Sequence, residues 1–257
     1  MTLVVLSITS FLASFLTLFS GFGLGTLLMP VAAIFFPVAA AVALTALVHL
    51  LNSLFKLAVM WRDVHWRVTL VFGLPAVLAA VPGAFLLARL STMTPLFEYD
   101  LLALHAAVTP VKLAAGILLL VFAMAEWRGL AKKAGFSKKW LPVGGLLSGF
   151  FGGLSGHQGA FRSAFLLHAG LNPSQFVATN AVIAALVDLA RLAVYGLHFS
   201  ILMVHIDATL IGAAAVAAFA GVIVGRLGVK KVTIATVQKL VAVMLCLLGV
   251  GLVSGVI

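Results

Sequence analysis

Charge is the scarcest property of this 257-residue chain. Only 9% of its residues are Asp, Glu, Lys or Arg, whereas 64% are hydrophobic. Soluble domains carry about 25% charged residues, so this composition excludes a soluble globular protein and indicates an integral membrane protein. At roughly 20 residues per span plus loops, the length allows about eight membrane crossings and leaves no room for a soluble domain.

Reactive groups are also few. The chain has six acidic residues, and its single cysteine, Cys246, excludes a disulfide within the chain and a cysteine-based metal site. The motifs of zinc proteases, serine nucleophile elbows and phosphate-binding P-loops do not occur in it. We therefore expect no enzyme, no ATP-driven pump and no metal or other cofactor.

The positive charge is concentrated in loops. The formal net charge is +10, and ten of the sixteen lysines and arginines lie in segments 61–67, 126–140 and 226–231. Basic residues in short loops are typical of the cytoplasmic side of a membrane protein, and the aromatic interleaving of a nucleic-acid site is missing. We expect the lipid bilayer as a partner and no nucleic acid.

One stretch is rich in glycine inside an apolar region. Residues 148–162 read S-G-F-F-G-G-L-S-G-H-Q-G-A-F-R and contain five glycines. Irregular backbone at membrane depth is tolerated only where protein or a water-filled cavity covers it, and a broken helix with nearby cations is a common anion site. His157, Gln158 and Arg162 are therefore candidate substrate ligands, with contacts that stabilise the loop as the alternative.

The second half of the chain repeats the first at an offset of 135 residues. Ser20-Gly21 then corresponds to Ser155-Gly156, and Lys56 corresponds to Arg191. Weak internal repeats that begin with interrupted helices mark many transporters. We expect a first transmembrane repeat over 1–125, a basic cytoplasmic linker over 126–140 and a second transmembrane repeat over 141–257.

The loop charges bear on the relative orientation of the repeats. If every segment crosses once, the halves are parallel and basic loops lie on both sides of the membrane. If residues 3–36 and 141–170 each enter and return as a hairpin, all three basic segments share one side, and only Arg89 lies opposite. The positive-inside rule favours the second arrangement. The predicted fold is an all-α polytopic membrane protein of two inverted repeats, each starting with a broken or re-entrant helix, with about eight spans, or ten if hairpin arms count separately.

Each polar group within the predicted spans has two interpretations. His49 and Asn52 lie one turn apart on the predicted helix 38–60, which suits an interhelical hydrogen bond or a binding site. Lys56 either extends to the membrane interface or contacts substrate. Asp188 and Arg191 are three residues apart, so we expect an ion pair that is structural, with proton coupling through Asp188 as the alternative.

Three runs of the sequence resemble a known family. They are S-G-F-G-L-G-T-L-L-M-P from Ser20, H-L-L-N-S-L-F-K from His49, and F-G-G-L-S-G-H-Q-G-A-F-R-S-A-F-L from Phe151. These runs resemble the TauE/SafE family of sulfite exporters. The resemblance extends over nearly the whole chain. The resemblance implies a bacterial inner-membrane exporter of sulfite or a related sulfur anion such as sulfoacetate. Its Gly-rich segments fall on Ser20–Gly25 and Gly152–Gly159, which adds these candidate substrate-binding positions: Gly21, Gly23, Gly25 and Gly156.

The sequence leaves several alternatives open. Export by alternating access around a mid-membrane site is the principal hypothesis, driven by the membrane potential alone or coupled to protons. Transport of another sulfonate and a non-transport role in membrane assembly are the alternatives. The Ala- and Gly-rich segment 206–225 suits close helix packing, which makes a homodimer possible.

Overall fold

The fold consists almost entirely of helices. A computed structural model describes residues 1–20, 24–101, 104–129, 135–198, 207–227 and 234–257. The helices of the first half are α1 (Thr2–Ser20), α2 (Leu24–Ala32), α3 (Val38–Met60), α4 (Trp66–Ser91) and α5 (Pro110–Trp127). Those of the second half are α6 (Leu141–Ser155), α7 (Gln158–Leu166), α8 (Pro173–His198), α9 (Ala208–Arg226) and α10 (Ile234–Val253).

Several of these helices can cross a membrane. Among the described residues, α3, α4, α5, α8 and α9 have the length and apolar composition of a span, and α1 and α10 contain shorter apolar stretches. On α4, Leu70, Leu74 and Leu78 recur every four residues and are more than half exposed, which is the pattern of a face that contacts lipid. The chain is therefore a multi-pass membrane protein.

The second glycine-rich segment forms a tight helical hairpin. Gly156 ends α6 in the left-handed conformation (φ +79°), which glycine adopts without strain. Ser148 Oγ then donates to the carbonyl oxygen of Gln158 at 2.9 Å, and a Cβ on Gly144 would collide with the ring of Phe165. Because an early α6 residue contacts a late α7 residue, α7 runs back along α6.

Glycine also permits the close packing of α6 on α4. Gly145, Gly149 and Gly153 are spaced by four residues, and a Cβ at each would collide with a backbone oxygen of α4. The partner oxygen of Gly149 belongs to Ala76. Helices in a membrane gain stability mainly from such close backbone approach, because lipid provides no hydrophobic force between them.

The helices pair between the two halves of the chain. The most extensive contacts join α4 to α6, α5 to α10 and α1 to α9, followed by the contacts of α8 with α3 and with α4. In the α1–α9 pair, a Cβ on Gly221 would collide with the carbonyl oxygen of Phe11. This glycine of α9 thus serves packing within the chain, and the homodimer suggested by the composition of 206–225 stays a prediction.

The membrane span predicted over residues 101–125 begins later in the structure, because two short strands precede it. Strands β1 (Phe97–Leu101) and β2 (Leu104–Val108) form an antiparallel hairpin, so the span expected from residue 101 begins only at Pro110. The apolar composition of 101–109 hid this boundary, because hydropathy alone does not distinguish a short strand from a helix. Thr109 followed by Pro110 was the available signal, since Thr caps helices and Pro favours the first helical position.

The β-hairpin packs on the end of the chain. The Tyr99 hydroxyl donates to the carbonyl oxygen of Ser254 at 2.5 Å, and Ala107 N donates to that of Gly255 at 3.2 Å. Lys112 Nζ donates to the carbonyl oxygens of Ala107 and Gly255 at 3.0 and 3.2 Å. Lys112 therefore stabilises this junction at the N-terminus of α5.

Candidate functional site

The two glycine-interrupted segments meet at the centre of the structure. α2 contacts α7, and a Cβ on Gly25 would lie 2.8 Å from the carbonyl oxygen of Gly156. Only glycine allows this approach without a shift of one backbone. Gly21 and Gly23 lie outside the described residues. Of the four predicted glycines, Gly25 and Gly156 are thus adjacent in the fold.

Asp188 connects the members of a buried polar network that lies beside the contact between α2 and α7. Its carboxylate is fully buried and accepts from Arg191 Nε at 2.9 Å and from Gln158 Nε2 at 2.8 Å. Its other oxygen lies 2.6 Å from His49 Nδ1. One carboxylate therefore connects α3, α7 and α8, and the ion pair expected from the spacing of Asp188 and Arg191 is present at 2.7 Å.

Arg191 also donates a hydrogen bond to the end of α6. Its Nη1 donates to the carbonyl oxygen of Gly152 at 3.0 Å, and the Tyr195 hydroxyl donates to that of Gly153. The last carbonyls of a helix have no partner within the helix and need outside donors. Tyr195 provides such a donor for Gly153, and Arg191 adds a second donor to the carbonyl oxygen of Gly152, which also accepts from Gly156 N. These bonds hold the tip of the hairpin against α8.

Arg162 is buried to 1% exposure, but its partners are neutral. Its Nη1 donates to Gln158 Oε1 at 2.8 Å, and its Nε donates to Asn180 Oδ1. Gln158 thus connects Arg162 to Asp188, because its amide accepts from the first and donates to the second. The sequence alone assigns no role to Asn180. Under the offset of 135 residues it corresponds to Thr45, so the repeat indicates a polar group at this position of α8.

Lys56 points inward rather than toward the interface. Its Nζ donates to Thr17 Oγ1 at 3.1 Å. One turn earlier, Asn52 accepts from Ser14 Oγ at 3.0 Å. These two bonds join α3 to α1, so Asn52 makes the interhelical hydrogen bond that was one of its two readings. Ser14 and Thr17 were not predicted.

A small cavity lies among these groups. Its volume is about 20 Å³, which is room for one water-sized group. None of its lining residues is acidic. The polar groups that line it come from α1, α3, α7 and α8, and they are Thr17, His49, Ser53, Lys56, Arg162 and Asn180.

The structure separates His157 from the other candidates. Its ring stacks on Phe122 with centroids 5.5 Å apart, and its Nδ1 lies 3.2 Å from Ser155 Oγ. His157 and Gln158 are buried but do not line the cavity, whereas His49, Lys56 and Arg162 do. Three of the predicted ligands therefore share one space, and Gln158 lies behind them.

The arrangement suits anion binding rather than metal binding. Two cations and the amide of Asn180 face the cavity, and their hydrogen-bond donors match an oxyanion. Within the described residues, no group of three His, Cys, Asp or Glu is placed to hold a metal ion.

Comparison with known proteins identifies the family of the chain. No curated protein and no solved structure shows a significant match to it. The family described as Sulfite exporter TauE/SafE matches residues 6–252, which is nearly the whole chain. Together with the multi-pass architecture, this match means that the protein belongs to the TauE/SafE family of membrane transporters.

Proposed function

We propose that the protein exports sulfite, or a closely related small sulfur oxyanion, out of the cell across the inner membrane. One observation carries this proposal: Arg162, which is buried, and Lys56, which is partly buried, line the same cavity, and no acid lines it. Burying a cation without a counter-charge costs several kcal/mol, so a site of this kind is stabilised by an anionic ligand. The planar guanidinium and the ammonium group suit the oxygens of sulfite.

The cavity is too small for a bound substrate. Sulfite has four heavy atoms, whereas about 20 Å³ accommodates one water-sized group. Binding therefore requires the helices around the cavity to separate. α2 and α7 are the mobile elements in this proposal, because each has only nine residues and α7 follows the glycine turn at Gly156.

The pairing of helices supports two inverted halves and alternating access. α1 and α6 open the two repeats, and each packs on the fourth helix of the other repeat. α3 pairs with α8, its counterpart under the offset of 135, and α5 pairs with α10, the last helix of the other repeat. An exchange of this kind is expected when a twofold axis relates the repeats 1–125 and 141–257. Rocking of one repeat against the other would then expose the cavity to each side in turn.

The helix lengths support a ten-segment arrangement. α7 has nine residues and rises about 14 Å, roughly half of a 30 Å membrane core, and it returns along α6. α2 has the same length. If α1–α2 and α6–α7 each form a hairpin that returns to the side from which it entered, the basic segments 61–67, 126–140 and 226–231 all lie on the cytoplasmic side.

Export needs no chemical energy in this scheme. An anion that leaves a negative interior gains about 2.3 kcal/mol per charge per 100 mV. A uniporter therefore suffices, and His49 next to Asp188 is the pair that would carry a proton if transport is coupled.

Sulfite flux into proteoliposomes tests the proposal. Arg162→Ala removes a buried, hydrogen-bonded charge, and loss of such a partner costs about 2–5 kcal/mol of binding, or at least about 30-fold in affinity. The matched control is Arg89→Ala, which removes an exposed arginine of α4. The proposal requires loss of sulfite flux in the first variant and normal flux in the second. Equal flux in both variants, at equal amounts of folded protein, would remove Arg162 from the site.

A further inference from the structure

The buried network has an excess of two positive charges. Lys56, Arg162 and Arg191 are cations, and Asp188 is the single carboxylate among them. Arg191 compensates most of the negative charge of Asp188, because the Nε and Nη2 atoms of Arg191 both lie within 2.9 Å of Asp188 Oδ1. Lys56 and Arg162 are left with neutral partners, a hydroxyl and two amides.

No other acid of the chain reaches the cavity. The sequence has six acids, and none of the remaining five contributes to the cavity lining. They belong to the turn after α3, strand β1, the last turn of α5 and the cap of α9, and they are Asp63, Glu98, Asp100, Glu126 and Asp207. The protein therefore has no carboxylate in the cavity lining that would balance Lys56 and Arg162.

We infer that the site takes its substrate as a dianion. This inference rests on the proposed function and deepens it, because it names the charge of the transported species. A dianion balances Lys56 and Arg162 together, whereas a monoanion leaves one buried cation without a counter-charge. Sulfite exists as a monoanion and a dianion near neutral pH, so the site selects SO₃²⁻ over HSO₃⁻. Compact oxyanions with one charge, such as nitrate and chlorate, are poor ligands.

Chlorate provides a matched probe of charge. It is isoelectronic with SO₃²⁻ and has the same pyramidal shape, but it carries one negative charge at any pH. In proteoliposomes at one alkaline pH, where sulfite is the dianion, unlabelled sulfite and chlorate compete with labelled sulfite for transport. We expect chlorate to compete at least tenfold more weakly than sulfite. Equal competition by the two ions, with sulfite flux intact, overturns the dianion inference and leaves the proposed function standing.

Removal of one cation tests the cause of the preference. Lys56→Met lowers the excess charge from two to one, so the ratio of sulfite to chlorate affinity should fall at least tenfold. Lys56→Arg keeps the charge and should keep the ratio, and Arg89→Met, outside the cavity, should leave it unchanged. An unchanged ratio in Lys56→Met refutes the charge argument.

A binding measurement covers variants that do not transport. Sulfite should raise the thermal unfolding midpoint of the purified protein more than chlorate does at the same concentration, since stabilisation of the folded state by a ligand increases with its affinity. The difference between the two ions should disappear in Lys56→Met. If neither ion is transported or stabilises the wild-type protein, the proposed function itself fails.

Discussion

Substitution of Asp188 by Asn isolates the electrostatic role of the buried carboxylate. The change keeps the size of the side chain, and the new amide oxygen still accepts from Gln158. It removes the counter-charge of Arg191, which is fully buried and lies 2.7 Å from the carboxylate. Loss of one partner of a buried ion pair costs about 3–5 kcal/mol, because the other charge is left uncompensated. At 1.4 kcal/mol per factor of ten, 4 kcal/mol changes the unfolding equilibrium about 1,000-fold.

The double variant Asp188→Asn/Arg191→Met separates charge from packing. Removing both partners leaves neither charge of this ion pair uncompensated, so most of the lost stability should return. The assay is thermal unfolding of purified wild-type, single-variant and double-variant protein in the same detergent. Wild-type stability of Asp188→Asn would refute the reasoning, since Arg191 would then not depend on Asp188.

The same double variant tests whether Arg191 binds substrate. Arg191 does not line the cavity, and its Nη1 contacts the carbonyl oxygen of Gly152. The excess of two positive charges is also unchanged when one cation and one anion are removed together. We therefore expect the double variant to retain its preference for sulfite over chlorate, and loss of that preference would place Arg191 in the binding site.

Three further predictions concern packing, helix ends and energetics. Gly149→Leu should abolish folded protein in a detergent-extraction assay, because a Cβ at Gly149 would collide with Ala76, whereas Gly212→Ala, in open space, should be tolerated. Tyr195→Phe should lower the free energy of unfolding by about 0.5–1.5 kcal/mol through loss of the hydrogen bond to Gly153; a larger loss would show that the ring position changes too. At 100 mV, a transported dianion should reach an equilibrium concentration gradient of about 2,000-fold and a monoanion about 50-fold. Measurement of the sulfite gradient at several imposed potentials distinguishes the two. A gradient that does not depend on the potential would indicate electroneutral transport.

Much of the helical layout could be predicted from the sequence. The helix predicted over 38–60 has the same bounds in the structure, Val38–Met60. Long apolar runs are a strong signal, because a membrane leaves the backbone few alternatives to a helix. The signal failed at Leu104–Val108, because a short and mostly apolar stretch is compatible with a strand as well as with a helix.

The candidate site was predicted only as a set of residue types. His49 and Lys56 were chosen because polar and ionisable groups in a span are costly and usually functional, and Arg162 was chosen because it lies beside a helix break; all three line the cavity. His157 was chosen by its position beside a helix break, yet its ring stacks on Phe122 of α5. A break fixes where a backbone turns, but the side-chain direction depends on which helix packs against it.

The sequence by itself determined that the chain is a helical membrane protein with more buried cations than acids and with glycine at two helix breaks. Composition and spacing are local properties, and they suffice for these conclusions. Only the tertiary structure decided which cations share a space. Arg191 and Lys56 are equivalent in the repeat, but Asp188 neutralises the first, while the second faces Arg162 across an acid-free cavity. That difference depends on contacts between α3, α7 and α8, which no local pattern encodes.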